Sequence, residues 1–184
     1  MSPNEWQECF LLHQRSYGDT SIIAEIFTRQ SGKMSVIARG AKKPKSKFFG
    51  YLVPFSKLQI TYSGRSELKT LTNIDRDVSL IDNNLSKKSY SLLYINELMI
   101  KLLPKDAANE DLFDLYSNFI EAASKEVDMN FLLRSFELDL LDMLGYGINF
   151  QTDIDAHEPI DASLDYIFIA ERGFQISNKA PDFS

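Results

Sequence analysis

Apolar and polar residues alternate along the first part of the chain and then, near residue 80, give way to a spacing of three and four. In residues 20–28, Ile22, Ala24 and Ile26 fall on one face and Ile23, Glu25 and Phe27 on the other, the period of a β-strand. Residues 33–38 repeat it with Met34, Val36 and Ala38 inward, and residues 52–62 with Leu58, Ile60 and Tyr62 alternating with Lys57, Gln59 and Thr61. Residues 9–14 and 67–74 add a first and a fifth strand. Turns are expected at Arg15-Ser-Tyr-Gly-Asp19, at Ser31-Gly32 and at Ser63-Gly-Arg65, and Pro54 belongs at a strand's beginning or on an edge. Five short strands with one longer loop between the third and fourth fit a small closed barrel of the OB type. An SH3-like barrel has the same strand count, so charge has to decide between them.

Beyond residue 80, Leu92, Ile95, Leu98 or Met99 and Leu102 mark an amphipathic helix over 84–103, stopped by Pro104. Leu112, Tyr116, Phe119, Ile120 and Ala123 mark a second over 109–123, and a third covers 128–144 before Gly145-Tyr-Gly147. A polar loop over 151–159 leads to a β-hairpin formed by 164–170 and 173–177 around Glu171-Arg172. The expected architecture is α+β and multidomain. Residues 1–80 form the OB-type barrel, 81–150 a helical domain, and 151–184 a loop, hairpin and tail; the boundary falls near 75–83.

Charge divides along the same line. Eleven Lys and Arg face five Asp and Glu in residues 1–70, a balance of +6, whereas 71–184 hold nine against twenty-one, a balance of -12. A basic first half suits a polyanion and the acidic remainder repels one, which favours the oligonucleotide-binding barrel. The densest cations are Lys42, Lys43, Lys45 and Lys47, just after Arg39, in a stretch broken by Pro44 and closed by Gly50. Such a run is neither core nor helix, and projects as a cationic loop suited to phosphates. A loop serving solubility alone has the same composition. Phe48, Phe49 and Tyr51 beside it are either stacking partners for bases or part of the barrel core.

Catalytic templates find no match. Cys9 is the single cysteine, which excludes an intramolecular disulfide and a cysteine-cluster zinc site and agrees with a reducing compartment. His13 and His157 stand apart from any second nitrogen or sulfur ligand. Asp153, Asp155, His157 and Glu158 do not have EF-hand spacing and read as a solvated acidic loop. Asp75 and Asp77 are conceivable nuclease carboxylates, although such residues after a strand commonly make a turn. GxSxG, Walker and GxGxxG patterns are lacking. No apolar run approaches the roughly 20 residues that span a bilayer, and the amino terminus lacks signal-peptide character, so a cytoplasmic, non-enzymatic binding protein without cofactor is expected.

One ordered set of segments is more specific. Phe10-Leu-Leu-His, Tyr17-Gly-Asp-Thr-Ser-Ile-Ile, Phe27-Thr-Arg-Gln-Ser-Gly-Lys, Ala38-Arg-Gly-Ala-Lys-Lys, Leu52-Val-Pro-Phe, Glu67-Leu-Lys-Thr-Leu, Tyr94-Ile-Asn-Glu-Leu and Phe136-Glu-Leu-Asp-Leu-Leu-Asp-Met-Leu-Gly-Tyr-Gly closely resemble the bacterial recombination mediator family RecO. The resemblance implies an amino-terminal OB domain and a helical domain. It implies a protein of the nucleoid that binds single- and double-stranded DNA, anneals complementary strands and, with RecR, helps RecA replace the single-stranded-DNA-binding protein. Many members carry four zinc-binding cysteines soon after the Leu-Gly-Tyr segment; residues 150–184 have none, so the chain resembles the zinc-free branch, shortened at its carboxy end. Arg39, Lys42, Lys43, Lys45 and Lys47, joined by Arg65 and Lys69, are then expected to form a track for a single strand. In the resembling family an arginine at the position of Arg134 receives the acidic, phenylalanine-terminated tail of the single-stranded-DNA-binding protein. Leu138 and Leu141 lie on the same helical face, and a surface pair of Arg134 with Glu137 is the competing expectation. The docking surface for RecR is not legible. The competing functions are a sequence-tolerant OB module without a mediator role and a metal-dependent nuclease using Asp75 and Asp77.

Overall fold

The computed structural model describes residues 5–76, 88–155, 157–170 and 172–177. Asp77, the start of the helix expected from residue 84, Glu171 of the hairpin turn and the tail from 178 lie outside the described residues. The chain forms two compact units, residues 1–133 and 134–184.

In the first unit, strands β1 (Gln7–Tyr17), β2 (Ser21–Thr28), β3 (Gly32–Ala38), β4 (Lys57–Ser63) and β5 (Leu68–Arg76) close in the order β1-β2-β3-β5-β4, with β4 pairing back onto β1. β3 and β5 run parallel and every other neighbour is antiparallel, which makes a closed five-stranded barrel of OB type. The alternation read from the sequence sets the core: Cys9, Leu11, Ala24, Ile26, Met34, Val36, Ala38, Leu58, Ile60 and Leu71 point inward together. Cys9 is fully buried, and burial pushes its thiol far above the ordinary range, so it packs rather than reacts.

Two boundaries differ from the sequence expectation by three residues or more. β1 continues through Arg15, Ser16 and Tyr17 instead of turning at Arg15, and β4 begins at Lys57 rather than residue 52. The first difference has a local cause. A β-bulge between Leu11 and His13 shifts the register against β2, so the inward phase changes and Gln14 lies opposite Ala24. His13, Arg15 and Tyr17 therefore point to the outside of the barrel, and the apolar alternation that marks the first half of the strand stops being visible.

Helices α1 (Ser89–Leu102) and α2 (Glu110–Ser124) belong to the same unit. Asn109 caps α2 by accepting the Leu112 backbone N–H at 2.9 Å, and Glu110 and Asp111 suit the positive end of its dipole. From α1, buried Asn96 donates to the Leu12 carbonyl at 2.8 Å, at the bulge itself, and accepts from the Tyr116 hydroxyl of α2. Phe113 and Tyr116 pack on the outward rings of Phe10 and Phe27, with centroids 5.0–5.6 Å apart. Arg29 lies 4.6 Å over the Phe113 ring and reaches Glu8 and Asp114; its guanidinium holds the Asp114 carboxyl below the usual carboxylate range. One end of the barrel's outer surface is thus covered by α2, while the strand ends beyond the bulge stay open.

Helix α3 (Met129–Met143) extends into the second unit, where Phe136 and Leu140 form its buried face. The hairpin β6 (Tyr166–Ile169) and β7 (Gly173–Ile176) follows, and Phe174 packs against Phe150 and Phe168 with centroids 5.6 and 5.4 Å away. The acidic loop before it is not merely solvated. Asp153 is buried and accepts the Asp155 and Glu158 backbone N–H groups, and Asp155 accepts the Gln175 side-chain amide at 2.6 Å, which ties loop to hairpin.

Candidate nucleic-acid interface

The lysine loop is a chain of tight turns anchored from inside. Lys43, Ser46, Phe49 and Tyr51 each donate their backbone N–H to the carbonyl three residues back. Ala41, Phe48 and Leu52 enter the barrel core, which leaves Lys43, Lys45 and Lys47 exposed on the turns between them. The three aromatic residues therefore separate: Phe48 is core at 7% exposure, while Phe49 and Tyr51 lie at the surface. Buried residues at both ends of this lysine run, Ala41 and Phe48, tie the loop to the barrel.

Two of these lysines are also tied laterally. Lys42 donates its Nζ to the Gly18 carbonyl at 3.1 Å and its backbone N–H to Thr20, which joins the loop to the β1–β2 turn. Lys47 donates to Asn73 Oδ1 of β5 at 3.0 Å and lies 5.4 Å from the Phe48 ring. Arg76, outside the expected set, stands nearby: it donates to the Gly50 carbonyl at 3.4 Å and its guanidinium lies 5.9 Å from the Tyr51 ring.

Arg39 and Lys43 reach a different feature. They line an open groove of about 780 Å³ together with Tyr17, Thr20 and Ser21 from the β1–β2 turn, Ile37 of β3, and Ser66, Leu68 and Thr70 from the β4–β5 turn and β5. These are the elements with which OB barrels hold oligonucleotides: the face of strands two and three and the loops after strands one and four. Arg65 is exposed beside Ser66 in the second of those loops. Of the expected cations, Arg39 and Lys43 line the groove; Arg65 precedes its lining residue Ser66, and Lys42, Lys45 and Lys47 belong to the rest of the loop.

Lys69 is placed apart from them. Its Nζ pairs with Asp106 at 2.7 Å, in the connection between α1 and α2, and its side chain is largely covered. Sequence spacing offers no sign of this partner, which lies 37 residues away. Tyr17 was missed for the opposite reason, since the bulge hides its strand phase behind polar neighbours.

On α3, Arg134, Leu138 and Leu141 share one face and Phe136 and Leu140 the other, as 100° per residue requires. Arg134 is exposed and pairs with Glu137, one turn on, whereas Leu138 presents an apolar side chain to solvent. As for metal chemistry, no group of three His, Cys, Asp or Glu side chains is gathered to hold an ion among the described residues. Asp75 is exposed and accepts the Arg76 backbone N–H at 2.8 Å, the turn-like arrangement expected of a strand end.

Comparison with known proteins divides the chain at the end of β5. Residues 1–76 match the family model described as Recombination protein O N terminal, and residues 86–180 match Recombination protein O C terminal. The chain is similar to the DNA repair protein RecO of Haemophilus influenzae strain 86-028NP, with 36% identity over 175 residues, 95% of this chain and 73% of that protein. It is 39% identical over 172 residues to the DNA repair protein RecO of Hamiltonella defensa, covering 93% and 73%.

The chain belongs to the RecO family.

A role in DNA repair and recombination follows from that membership. The family relation covers both units, and it leaves the assignment of individual contacts to the geometry. No helix among the described residues is long and apolar enough to cross a membrane.

Proposed function

We propose that this RecO-family chain binds DNA on the open outer face of its barrel, anneals complementary strands and helps RecA load onto strands coated by the single-stranded-DNA-binding protein. The observation that carries this reading is the groove at the β1–β2 and β4–β5 turns, where Arg39 and Lys43 converge on the surface an OB barrel uses for oligonucleotides. Lys42, Lys45, Lys47 and Arg65 extend the positive track around it. Lys69, neutralised by Asp106, belongs to its margin. Such a surface acts by binding and alignment, with no chemical step, cofactor or metal, and takes both single strands and duplex through their phosphates. Its place is the cytoplasm, at the nucleoid. The labour divides with the chain: residues 1–80 hold DNA, 81–150 serve protein partners, and 151–184 form a small terminal module.

On the second surface, Arg134 receives the terminal carboxylate of the acidic tail of the single-stranded-DNA-binding protein, exchanging Glu137 for it. Leu138 and Leu141 cover the tail's aromatic end. A charge-assisted hydrogen bond of this kind contributes about 1.5–3 kcal/mol. RecR completes the set of partners.

The deciding experiment is annealing of complementary strands coated with the single-stranded-DNA-binding protein, with and without the chain. Acceleration, lost when Arg39, Lys42, Lys43 and Lys45 are changed together to Ala, supports the reading. Each phosphate contact on a single strand adds about 0.7 to the salt slope, so four contribute about 2.8. A strand-binding chain that neither accelerates annealing nor binds the tail peptide is instead a sequence-tolerant OB module.

A further inference from the structure

We infer that the groove holds a single strand by its bases as well as its phosphates, with the ring of Tyr17 as the stacking platform. This rests on the barrel being the DNA-binding surface and specifies what that surface selects: a strand with free base faces, over a duplex.

The bulge at Leu11/His13 provides the geometry. Before it, outward residues of β1 such as Phe10 are covered by α2; after it, Tyr17 points outward opposite Ser21. The ring is 52% exposed at the end of a strand and lines the same groove as Arg39 and Lys43. Ile37 and Leu68 add apolar lining, so the site offers a flat aromatic surface, an apolar wall and two cations within one concavity. A wholly phosphate-binding surface has no use for the first two. An unstacked base matches all of them, since its π-face stacks on an aromatic ring while the flanking phosphates meet the cations. In a duplex the base faces are already stacked on each other, so only the cationic part of the groove acts on it.

The lysine loop supports the ring's position. Lys42 fastens the loop to Gly18 and Thr20, directly after Tyr17, so the ring and the cations of Lys43 and Arg39 are held in one frame. Asp19 and Glu67 also stand in the two turns. They lower the positive potential at the rim, which makes stacking the more important for retaining a strand there.

The test uses the full chain, fluorescence anisotropy and two oligomers of equal length, oligo-dT and the same sugar–phosphate chain without bases, each over a salt series. Wild type binds oligo-dT about 5- to 150-fold more tightly than the abasic chain, the range of a single base–aromatic stack. Tyr17→Ala loses that factor, binds both oligomers alike and keeps the wild-type salt slope and duplex affinity, whereas Tyr17→Phe and Tyr17→Trp retain the preference. Undiminished oligo-dT affinity in a folded Tyr17→Ala variant overturns the inference while leaving the cationic track standing. If wild type binds neither oligomer with a salt-dependent affinity, the DNA-binding reading of the barrel fails first and the stacking site with it.

Discussion

Gly32 lies directly against Ala107 of the α1–α2 connection, and Gly32→Ala tests how much that approach contributes. Gly32 has φ +73°, and a Cβ there would lie 2.0 Å from the Ala107 carbonyl oxygen, 2.5 Å from its carbon and 2.9 Å from its nitrogen. All three are backbone atoms, so no rotamer change relieves the clash. The left-handed conformation alone costs a non-glycine residue about 1–2 kcal/mol. Moving residue 107 away also gives up the Asp106 N–H bond to the Lys33 carbonyl, now 2.8 Å, for another 0.5–1.5 kcal/mol or about that. The expected loss is about 1.5–3.5 kcal/mol. Gly50→Ala is the control: φ is +75° with nothing within 4 Å of its Cβ, so only the conformational part of about 1–2 kcal/mol applies. Urea unfolding of both variants, with unchanged m-values, reads the difference directly. Equal midpoint shifts would refute the claim that the connection is packed against β3. Because Gly32 and Arg39 stand at opposite ends of β3, the folded fraction of Gly32→Ala should bind oligonucleotide as wild type does.

Three further outcomes are expected. Asn96→Ala removes the bond to the Leu12 carbonyl at the bulge, so stability falls by about 1–3 kcal/mol in urea and oligo-dT affinity falls with it, because the strand that presents Tyr17 loses its support. Lys69→Ala leaves the salt slope of strand binding within about 0.3 of wild type, since its charge is already matched by Asp106. Asp114 has its carboxyl held down by Arg29, so its stabilising contribution is present above the ordinary aspartate pKa of about 3.9 and is lost as pH falls through the depressed folded value. Acid titration followed by NMR should place Asp114 below that value in wild type and return it there in Arg29→Met.

Period and turn residues together located the five barrel strands and three helices, because the barrel core leaves its mark on every second residue of a strand and a helix's packed face on every third and fourth. The lysine loop was equally legible as a loop, from Pro44 and the density of charge. Its anchoring was not. Phe48 and Phe49 are the same residue type side by side, and only the turn between them decides that the first enters the core while the second does not. Lys69 and Arg134 show the limit for charges. Each looks free in its own segment, yet Lys69 meets a carboxylate brought in by the helical connection, and Arg134 meets Glu137 on the next turn. The second pair is local and was anticipated as the competing expectation. The first is long-range, and no local pattern announces it.

The bulge lets one strand of the barrel pack against a helix at one end and face the open groove at the other. Along β1, side chains that alternate without interruption would keep Phe10 and Gln14 in one outward row and turn Tyr17 towards the core. One register shift after Leu11 breaks that row: Phe10 stays under Phe113 and Tyr116, and Tyr17 goes to the open face. The charges follow the same division. Glu110, Asp111 and Asp114 stand at the covered end, where Arg29 pairs with Glu110 and Asp114, whereas Arg39 and Lys43 line the groove at the other. On the proposed reading, a polyanion would be repelled from the first and attracted to the second, so the field would orient a strand before any base reached Tyr17. Phosphate contacts fix position without reading the strand, and the aromatic ring then distinguishes an open strand from a paired one. For a protein whose family acts in DNA repair and recombination, the proposed stacking site implies an order of events: any DNA would find the groove, and a preference for unpaired bases would be exerted only after arrival.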